Sequence, residues 1–437
     1  MGEILAFVLY FVAMLTVGVW FFVKSKDNGE KEYFLGGRSM GPWVTAMSAQ
    51  ASDMSAWLLM GLPGSILAFG LGQAWIGIGL AIGTALNWIF IAKRLRKFSK
   101  ASGDSITLPQ YLSNRFLTAN PTLKIICAVV FLISFTIYVA SAFSAGTTVF
   151  TTLFPALSDE VAMTIFAVII LVYTFMGGFK AVCWTDFFQG ILMLVALLAV
   201  PIVIVCTKTL DASALSNVYS YVDANGKVVE CVFTSNLFGA SWQEIASGLA
   251  WGLGYFGMPH ILVRFMSIEK PSAVKKSATV AIIWVIITLF VAILIAYFGR
   301  MLIAEELLLA GNQKLVFIEF ARRLFPGFIA GLLLAAIIAA SMSTADSQLL
   351  VASSSFTSDI YKPIIRKKAS DKEVMWVGRI VVVIVSVVAF FIASSEGQGA
   401  QAIMNMVENA WGLFGAAFGP VVILSLFWKR FTYKGAV

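Results

Sequence analysis

Charged residues fill only 12% of the 437 positions, about half the share usual in soluble globular chains. Histidine occurs once, at His260, and cysteine four times, at Cys127, Cys183, Cys206 and Cys231. The cysteines form no CxxC or Cys/His pattern, which argues against a zinc or dithiol redox motif, and they are too sparse for a disulfide scaffold. There is no nucleophile-and-base pattern either, so no catalytic residues are assigned and no cofactor is expected. What the sequence holds instead is apolar: 59% of residues are hydrophobic and the mean hydropathy is +0.89. This composition excludes disordered, collagen-like and coiled-coil chains and predicts an all-α protein of the lipid bilayer.

A membrane-spanning helix needs about 20 residues with few charges. The gaps between charged positions predict eleven helices, at about 3–23, 41–69, 72–92, 123–150, 160–178, 184–207, 241–264, 275–299, 325–358, 375–394 and 404–428. With the N-terminus outside, 25 Lys and Arg residues fall in cytoplasmic loops and six on the other side. That asymmetry sets the orientation, and the basic excess of 31 Lys+Arg over 23 Asp+Glu reports topology rather than nucleic-acid binding. The first apolar run follows Glu3 rather than a basic region and has the length of a full span, so it reads as a retained helix, not a signal peptide. Of the two long external segments, 208–240 reads as a polar loop with "DASALSN" and "DANGK", and 302–325 as an interfacial helix acting as a packing lid.

Scarcity of charge makes each intramembrane carboxylate conspicuous. Asp53 is the one charge in the 54 residues between Arg38 and Lys93, and an ionisable group at that depth costs about 2.5 to 3.5 kcal/mol on insertion scales, so it marks a functional site or the cap of an interrupted helix. Asp346 is the only charge between Arg323 and Asp359. On a helix, Ser343, Asp346 and Ser347 share a face and Thr344 adjoins it. Such hard oxygen donors suit Na⁺, although Ser and Thr alone would also read as glue between helices. Asp186 lies near the cytoplasmic end of its span and reads either as a site residue or as a helix-terminal carboxylate. Glu408 reads as a structural partner or a coupling residue, and His260, beside Pro259, as a hydrogen-bonded packing residue or a proton relay. The span 241–264, with its "LAWGLGYFGMPHILVRF" string, carries four glycines (Gly248, Gly252, Gly254 and Gly257) and a proline, as expected for a helix broken beside a cavity, with Trp251, Tyr255 and Phe256 as its walls.

The breaks near Asp53 and Gly254 lie about 200 residues apart, and each opens a run of five helices. An odd count inverts the second run relative to the first, which is the inverted-repeat plan of secondary transporters. The expected organisation is one transport domain over 1–437: an extra helix at 3–23, repeats at 41–207 and 241–428, and a tail at 429–437.

The strings "YFLGGRSMGPWVTAMSAQASDMSAWLLMGLPG", "LPQYLSNRF", "FTIYVASA", "YTFMGGFKAVCWTDFFQG", "WGLGYFGMPHILVRFM", "AASMSTADSQLLV" and "AWGLFGAAFGPVV" resemble the sodium/solute symporters, and within them the proline branch. The resemblance implies a LeuT-like fold of 5+5 transmembrane helices with one extra N-terminal helix, and two further helices beyond "KGAV". It implies Na⁺-driven uptake of L-proline across the cytoplasmic membrane by alternating access, with Na⁺ as coupling ion and neither a nucleic acid nor an obligate protein partner. A symporter of another amino acid, a betaine-like osmolyte or sialic acid, driven by Na⁺ or H⁺, is the alternative. Carried over by motif, the sodium site comprises backbone oxygens of Ala51, Met54 and Ala340 with the hydroxyls of Ser343 and Thr344. A possible second sodium site comprises Asp186, Ser343, Asp346 and Ser347. Arg38, Asp53 and Ser55 match coupling positions, and Tyr138, Trp251, Tyr255 and Pro259 match substrate-binding positions. Asp346 stands where the best-known member of that branch has an uncharged residue, and Met258 where that member has an amide.

Overall fold

The computed structural model describes residues 1–24, 29–118, 120–222, 226–396 and 400–437. Eight of the described helices are long and apolar enough to cross a membrane: α1 (Gly2–Lys24), α4 (Leu71–Ala101), α6 (Thr122–Leu153), α7 (Asp159–Thr207), α10 (Val274–Leu302), α11 (Gly327–Phe356), α12 (Asp371–Glu396) and α13 (Ala400–Phe427). The 49-residue α7 consists of two helical arms joined across a kink at Gly178. Gly178 takes φ 62°, a left-handed angle that glycine adopts without a Cβ penalty, and Tyr173 and Thr185 meet side chain to side chain across the bend. Two separate spans at 160–178 and 184–207 therefore become a hairpin that turns at Gly178.

Two further helices escape a length criterion because each is interrupted. The first is α2 (Pro42–Met54) followed, after a break at Ser55, by α3 (Gly61–Phe69). The second is α8 (Trp242–Ala250), a 3₁₀ stretch at Trp251–Phe256, and α9 (Pro259–Ser267). A nine-residue half-helix is about 14 Å long, roughly half the hydrocarbon core, which puts each break near mid-depth.

The centre of the molecule is α11, whose residues from Leu333 to Ser355 are all buried. A helix apolar or small-sided all round is stable only when surrounded, and α6, α7, α1, α12 and α2 surround it. Close approach of α4 to the second broken helix depends on glycine. A Cβ on Gly79 would lie 2.2 Å from the Gly248 carbonyl oxygen, and one on Gly83 2.2 Å from that of Gly252.

The connections sort onto two faces. One holds residues 29–41, 93–122, 268–273, 357–371 and 428–434, tied together by Lys362–Glu30, Thr107–Asp359 and Arg115–Ser425 contacts. The opposite face holds 208–240 and 303–326. The segment read as a polar loop contains an antiparallel hairpin, β1 (Tyr219–Val222) and β2 (Val228–Cys231), so the protein is predominantly helical rather than strictly all-α; "DANGK" lies partly outside the described residues. The lid at 302–325 is built of two short helices with Val316, Phe317, Ile318 and Phe320 buried, and packing is what its sequence pattern encodes.

Candidate functional site

Helix α2 stops at Met54 because Ser55 adopts φ 47°, a left-handed angle that costs a non-glycine residue about 1 to 2 kcal/mol. The Ser55 hydroxyl accepts from Trp57 N–H at 3.2 Å and starts the next turn. Ending the helix there leaves the carbonyls of its last turn, Ala51 to Met54, without intrahelical donors. Ser343 of α11 donates to the Ala51 carbonyl at 2.9 Å, and Ser343 and Thr344 reach the Ala340 carbonyl at 3.2 and 3.0 Å. Four of the five oxygen donors read as a sodium site are thereby joined by hydrogen bonds. The fifth, the Met54 carbonyl, ends the same helix. All belong to buried residues and offer hard neutral oxygen, the donor chemistry that suits Na⁺.

One turn further along the cavity, Asp53, Met54, Ser55, Trp57, Leu80, Tyr138, Trp251, Tyr255, Val407 and Trp411 enclose a narrow space. Tyr255 donates its hydroxyl to Asp53 Oδ2, while Asp53 Oδ1 is buried without a protein partner. Trp57 stacks on Trp251 at 6.2 Å, Trp251 leans on Trp411 at 6.0 Å, and Tyr255 meets Trp411 edge-on at 5.3 Å. The geometry is an unsatisfied carboxylate oxygen inside an aromatic box. Such a box holds a small amine-bearing solute by charge and ring contact.

The Tyr255 carbonyl is held by Asn87 Nδ2 at 2.9 Å, and the Trp251 carbonyl by Trp411 Nε1 at 2.8 Å. Asn87 opens a π-helical stretch of α4, Asn87–Ala92, a helix irregularity common at functional sites. Gly254 lets the Trp411 indole in, since a Cβ there would lie 2.1 Å from Nε1.

Behind the ion donors, Arg264 of α9 forms a fully buried ion pair with Asp186 at 3.0 Å. The same guanidinium donates to Ser48 Oγ at 2.8 Å, to the His260 carbonyl at 2.7 Å and to Ser347 Oγ. Ser347 donates to Asp346 Oδ1 at 3.2 Å, and Ser48 to Asp186 Oδ2 at 2.6 Å. Asp186 Oδ1 and Asp346 Oδ2 are buried without partners.

A model of the sodium:solute symporter family matches residues 33–437. The chain belongs to that family. Relatives named sodium/proline symporter, from Haemophilus influenzae and Escherichia coli, are each 42% identical, over 100% and 99% of this chain and 85% and 84% of their own lengths. A high-affinity proline transporter of Bacillus subtilis is 42% identical over 97% of this chain and 87% of its length. These relatives are transporters, not enzymes. Among solved structures, a substrate-bound, outward-open Na⁺-coupled sialic acid symporter matches with TM-score 0.77 at 22% identity, over 99% of this chain and 88% of that one. A nucleobase-cation-symport-1 transporter matches with TM-score 0.50 at 14% identity, over 91% and 81%. At those identities the likeness establishes the fold.

Against that family background, the positions expected from sequence divide clearly. Ala51, Ala340, Ser343 and Thr344 come together, with Met54 at the end of the helix that carries Ala51, and Asp53, Ser55, Tyr138, Trp251 and Tyr255 line one cavity. Ser343 sides with the Ala51 carbonyl, whereas Asp186, Asp346 and Ser347 gather round Arg264 instead of forming an open cage. Pro259 begins α9 as its first residue and is absent from the cavity lining; its fixed φ suits a helix start. Phe256 faces a second, apolar groove along α13. His260 packs edge-on against Phe135 at 5.7 Å with both ring nitrogens buried and unpartnered, so it is a packing residue without the expected hydrogen bond. Glu408 is exposed on α13, apart from the buried carboxylates. Arg38 lies at the basic face, in a network of its own. Sequence reading missed Asn87, Trp411 and Arg264. Arg264, at the very end of the span predicted over 241–264 and six residues before Lys270, falls in the charge tally with the cytoplasmic loop cations.

Proposed function

We propose that this chain is a Na⁺-coupled L-proline symporter of the cytoplasmic membrane, working by alternating access. The proposed frame is a LeuT-like inverted repeat, 41–207 and 241–428, with α1 as the extra helix. In it α2 and α3 count as one span, α8 and α9 as another, and α7 as two. The face carrying residues 29–41 and 93–122 is then cytoplasmic and the N-terminus lies outside. The observation that carries the reading is the hydrogen bond from Ser343 on α11 to the Ala51 carbonyl at the end of α2, one residue from Ser52 and two from Asp53. Na⁺ held by Ala51, Met54 and Ala340 carbonyls and the Ser343 and Thr344 hydroxyls would tie the first broken helix to α11. That tie would fix Asp53 and Ser55 in the cavity wall.

In the cavity, the secondary ammonium of proline would meet Asp53 Oδ1 and the pyrrolidine ring would lie against Trp251, Tyr255 and Tyr138. The enclosed space has room for about one water molecule, so the aromatic wall must swing outward to admit an amino acid. No covalent step is involved. Because coupling is reciprocal, Na⁺ tightens proline and proline tightens Na⁺ by the same factor.

Arg264 supplies a resident cation between Asp186 and Asp346, which supports one Na⁺ per cycle. Two Na⁺ per cycle, the second at Asp186, Ser343, Asp346 and Ser347, is favoured by the unpartnered Asp186 Oδ1 and Asp346 Oδ2. Uptake of labelled L-proline into proteoliposomes tests the proposal. Uptake should follow an imposed Na⁺ gradient and resist an excess of betaines, sialic acid and other amino acids. Indifference to Na⁺ would overturn it, and the initial-rate dependence on Na⁺ would separate one ion from two.

A further inference from the structure

The first broken helix starts and the second ends at the face assigned to the cytoplasm, and there they are fastened together. Met40 N–H donates to the Ser267 carbonyl at 3.2 Å and Glu269 N–H to the Met40 carbonyl at 3.0 Å. The last-turn carbonyls of α9 have no helical donors and carry the negative end of its dipole. Two arginines from other elements bind at and just beyond this helix end. Arg38 donates to the Met266 carbonyl at 2.5 Å. Arg96 of α4 donates to the Ile268 carbonyl and, at 3.0 Å, to that of Glu269.

Arg38 is aimed by the segment Ser99–Thr107. Its guanidinium reaches Asp104 Oδ1 at 2.8 Å, Ser99 Oγ at 3.1 Å and the Ser105 carbonyl at 2.7 Å. Asp104 also binds Lys31. Gly103 and Asp104 are both left-handed, with φ 67° and 51°, and this turn brings the carboxylate back over Arg38. Three residues after Asp104, Thr107 donates to both oxygens of the buried Asp359 at 2.9 and 2.8 Å, where the ion-bearing α11 continues toward the same face. One short segment thus touches the approach to the first broken helix, the end of the second and the continuation of α11.

We propose that Asp104 is a positioning residue for transport: it holds Arg38 on the Met266 carbonyl, and together with Arg96 on Ile268 and Glu269 it forms the latch that must release before ion and solute leave toward the cytoplasm. Asp104 touches neither. Its substitution should change access from that side while leaving the binding cavity intact. The inference rests on the proposed reading for the direction of transport, not for the existence of the latch.

The test uses the full chain with its four cysteines replaced and Ser267→Cys introduced at the buried seam. The rate of modification by a membrane-impermeant maleimide is measured from the inner side in Na⁺, beside Na⁺-dependent proline binding. Asp104→Asn should raise the modification rate about tenfold, the change expected when a two-state closure loses about 1.4 kcal/mol, with proline binding within about twofold of the parent and Asp104→Glu restoring protection. An unchanged modification rate in Asp104→Asn would overturn the latch. If that variant does not fold, Arg96→Gln decides by the same comparison: faster modification supports the latch, and an unchanged rate overturns it. Failure of the proline reading looks different, since the parent would then show no Na⁺-dependent proline binding while the contrast in modification persisted.

Discussion

Arg264, Asp186 and Asp346 form the most consequential buried charge group in the molecule. Truncating one partner of a buried ion pair strands the other and costs about 3 to 5 kcal/mol, so Arg264→Gln should leave two uncompensated carboxylates and reduce folded yield sharply. Removing a carboxylate at the same time should recover part of it: Arg264→Gln combined with Asp346→Asn is expected to run closer to the parent on size-exclusion chromatography than Arg264→Gln alone. At the proposed sodium site, Ser343→Ala and Thr344→Ala would each delete a hydroxyl that faces the ion, worth about 1.5 to 3 kcal/mol. Each should raise the Na⁺ concentration for half-maximal proline uptake by roughly ten- to a hundredfold, with much smaller loss at saturating Na⁺. At this scale the sequence is legible where charge is rare: Asp53 and Asp346 stand out because nothing near them in the chain is charged, and Asp186, six residues after Lys180, stands out less. Arg264 did not stand out, because Lys270, Lys275 and Lys276 follow it and only packing shows that α9 carries it inward.

Among the elements, the tightest constraint is the contact of α4 with the second broken helix. Gly83→Ala would drive a methyl to 2.2 Å from the Gly252 carbonyl oxygen, and forcing backbones apart in this way costs about 1 to 3 kcal/mol. The expected outcome is a lower unfolding temperature and weaker proline binding, because the displaced helix carries Trp251 and Tyr255. Gly412→Ala is the control, since no atom lies within 4 Å of a Cβ there, and it should leave both unchanged. Glycines and Pro259 revealed in the sequence that this helix is broken. They did not reveal that Pro259 starts α9 behind the cavity, nor that Asn87 and Trp411, from helices far away in sequence, hold the freed carbonyls.

At the scale of the whole molecule, the basic face responds to pH through Asp104. Partial burial raises its carboxyl, but hydrogen bonds and charge from Lys31 and Arg38 outweigh that and hold it below the ordinary value. A carboxyl depressed in the folded state stabilises the fold above its unfolded value of about 3.9 and ceases to do so as pH falls through the folded value. The groups facing it are Lys31, Arg38 and Arg96, all cationic throughout that window. Parent protein should therefore melt above Asp104→Asn at pH 7, by a modest margin because Asp104 is 41% exposed. The two should converge as pH drops below about 4.

By itself the sequence determined that the chain lies in a bilayer, where its helices fall and which carboxylates are out of place there, because hydrocarbon tolerates only apolar helices and makes each buried charge conspicuous. Its motifs determined the family. The tertiary structure alone decided that Arg264 fills the space between Asp186 and Asp346, that Pro259 and Phe256 stand outside the cavity, and that Arg38 and Arg96 fasten the two broken helices at one face. Those outcomes depend on which helices lie side by side, and contacts between residues more than 70 positions apart leave no periodicity in the chain to read.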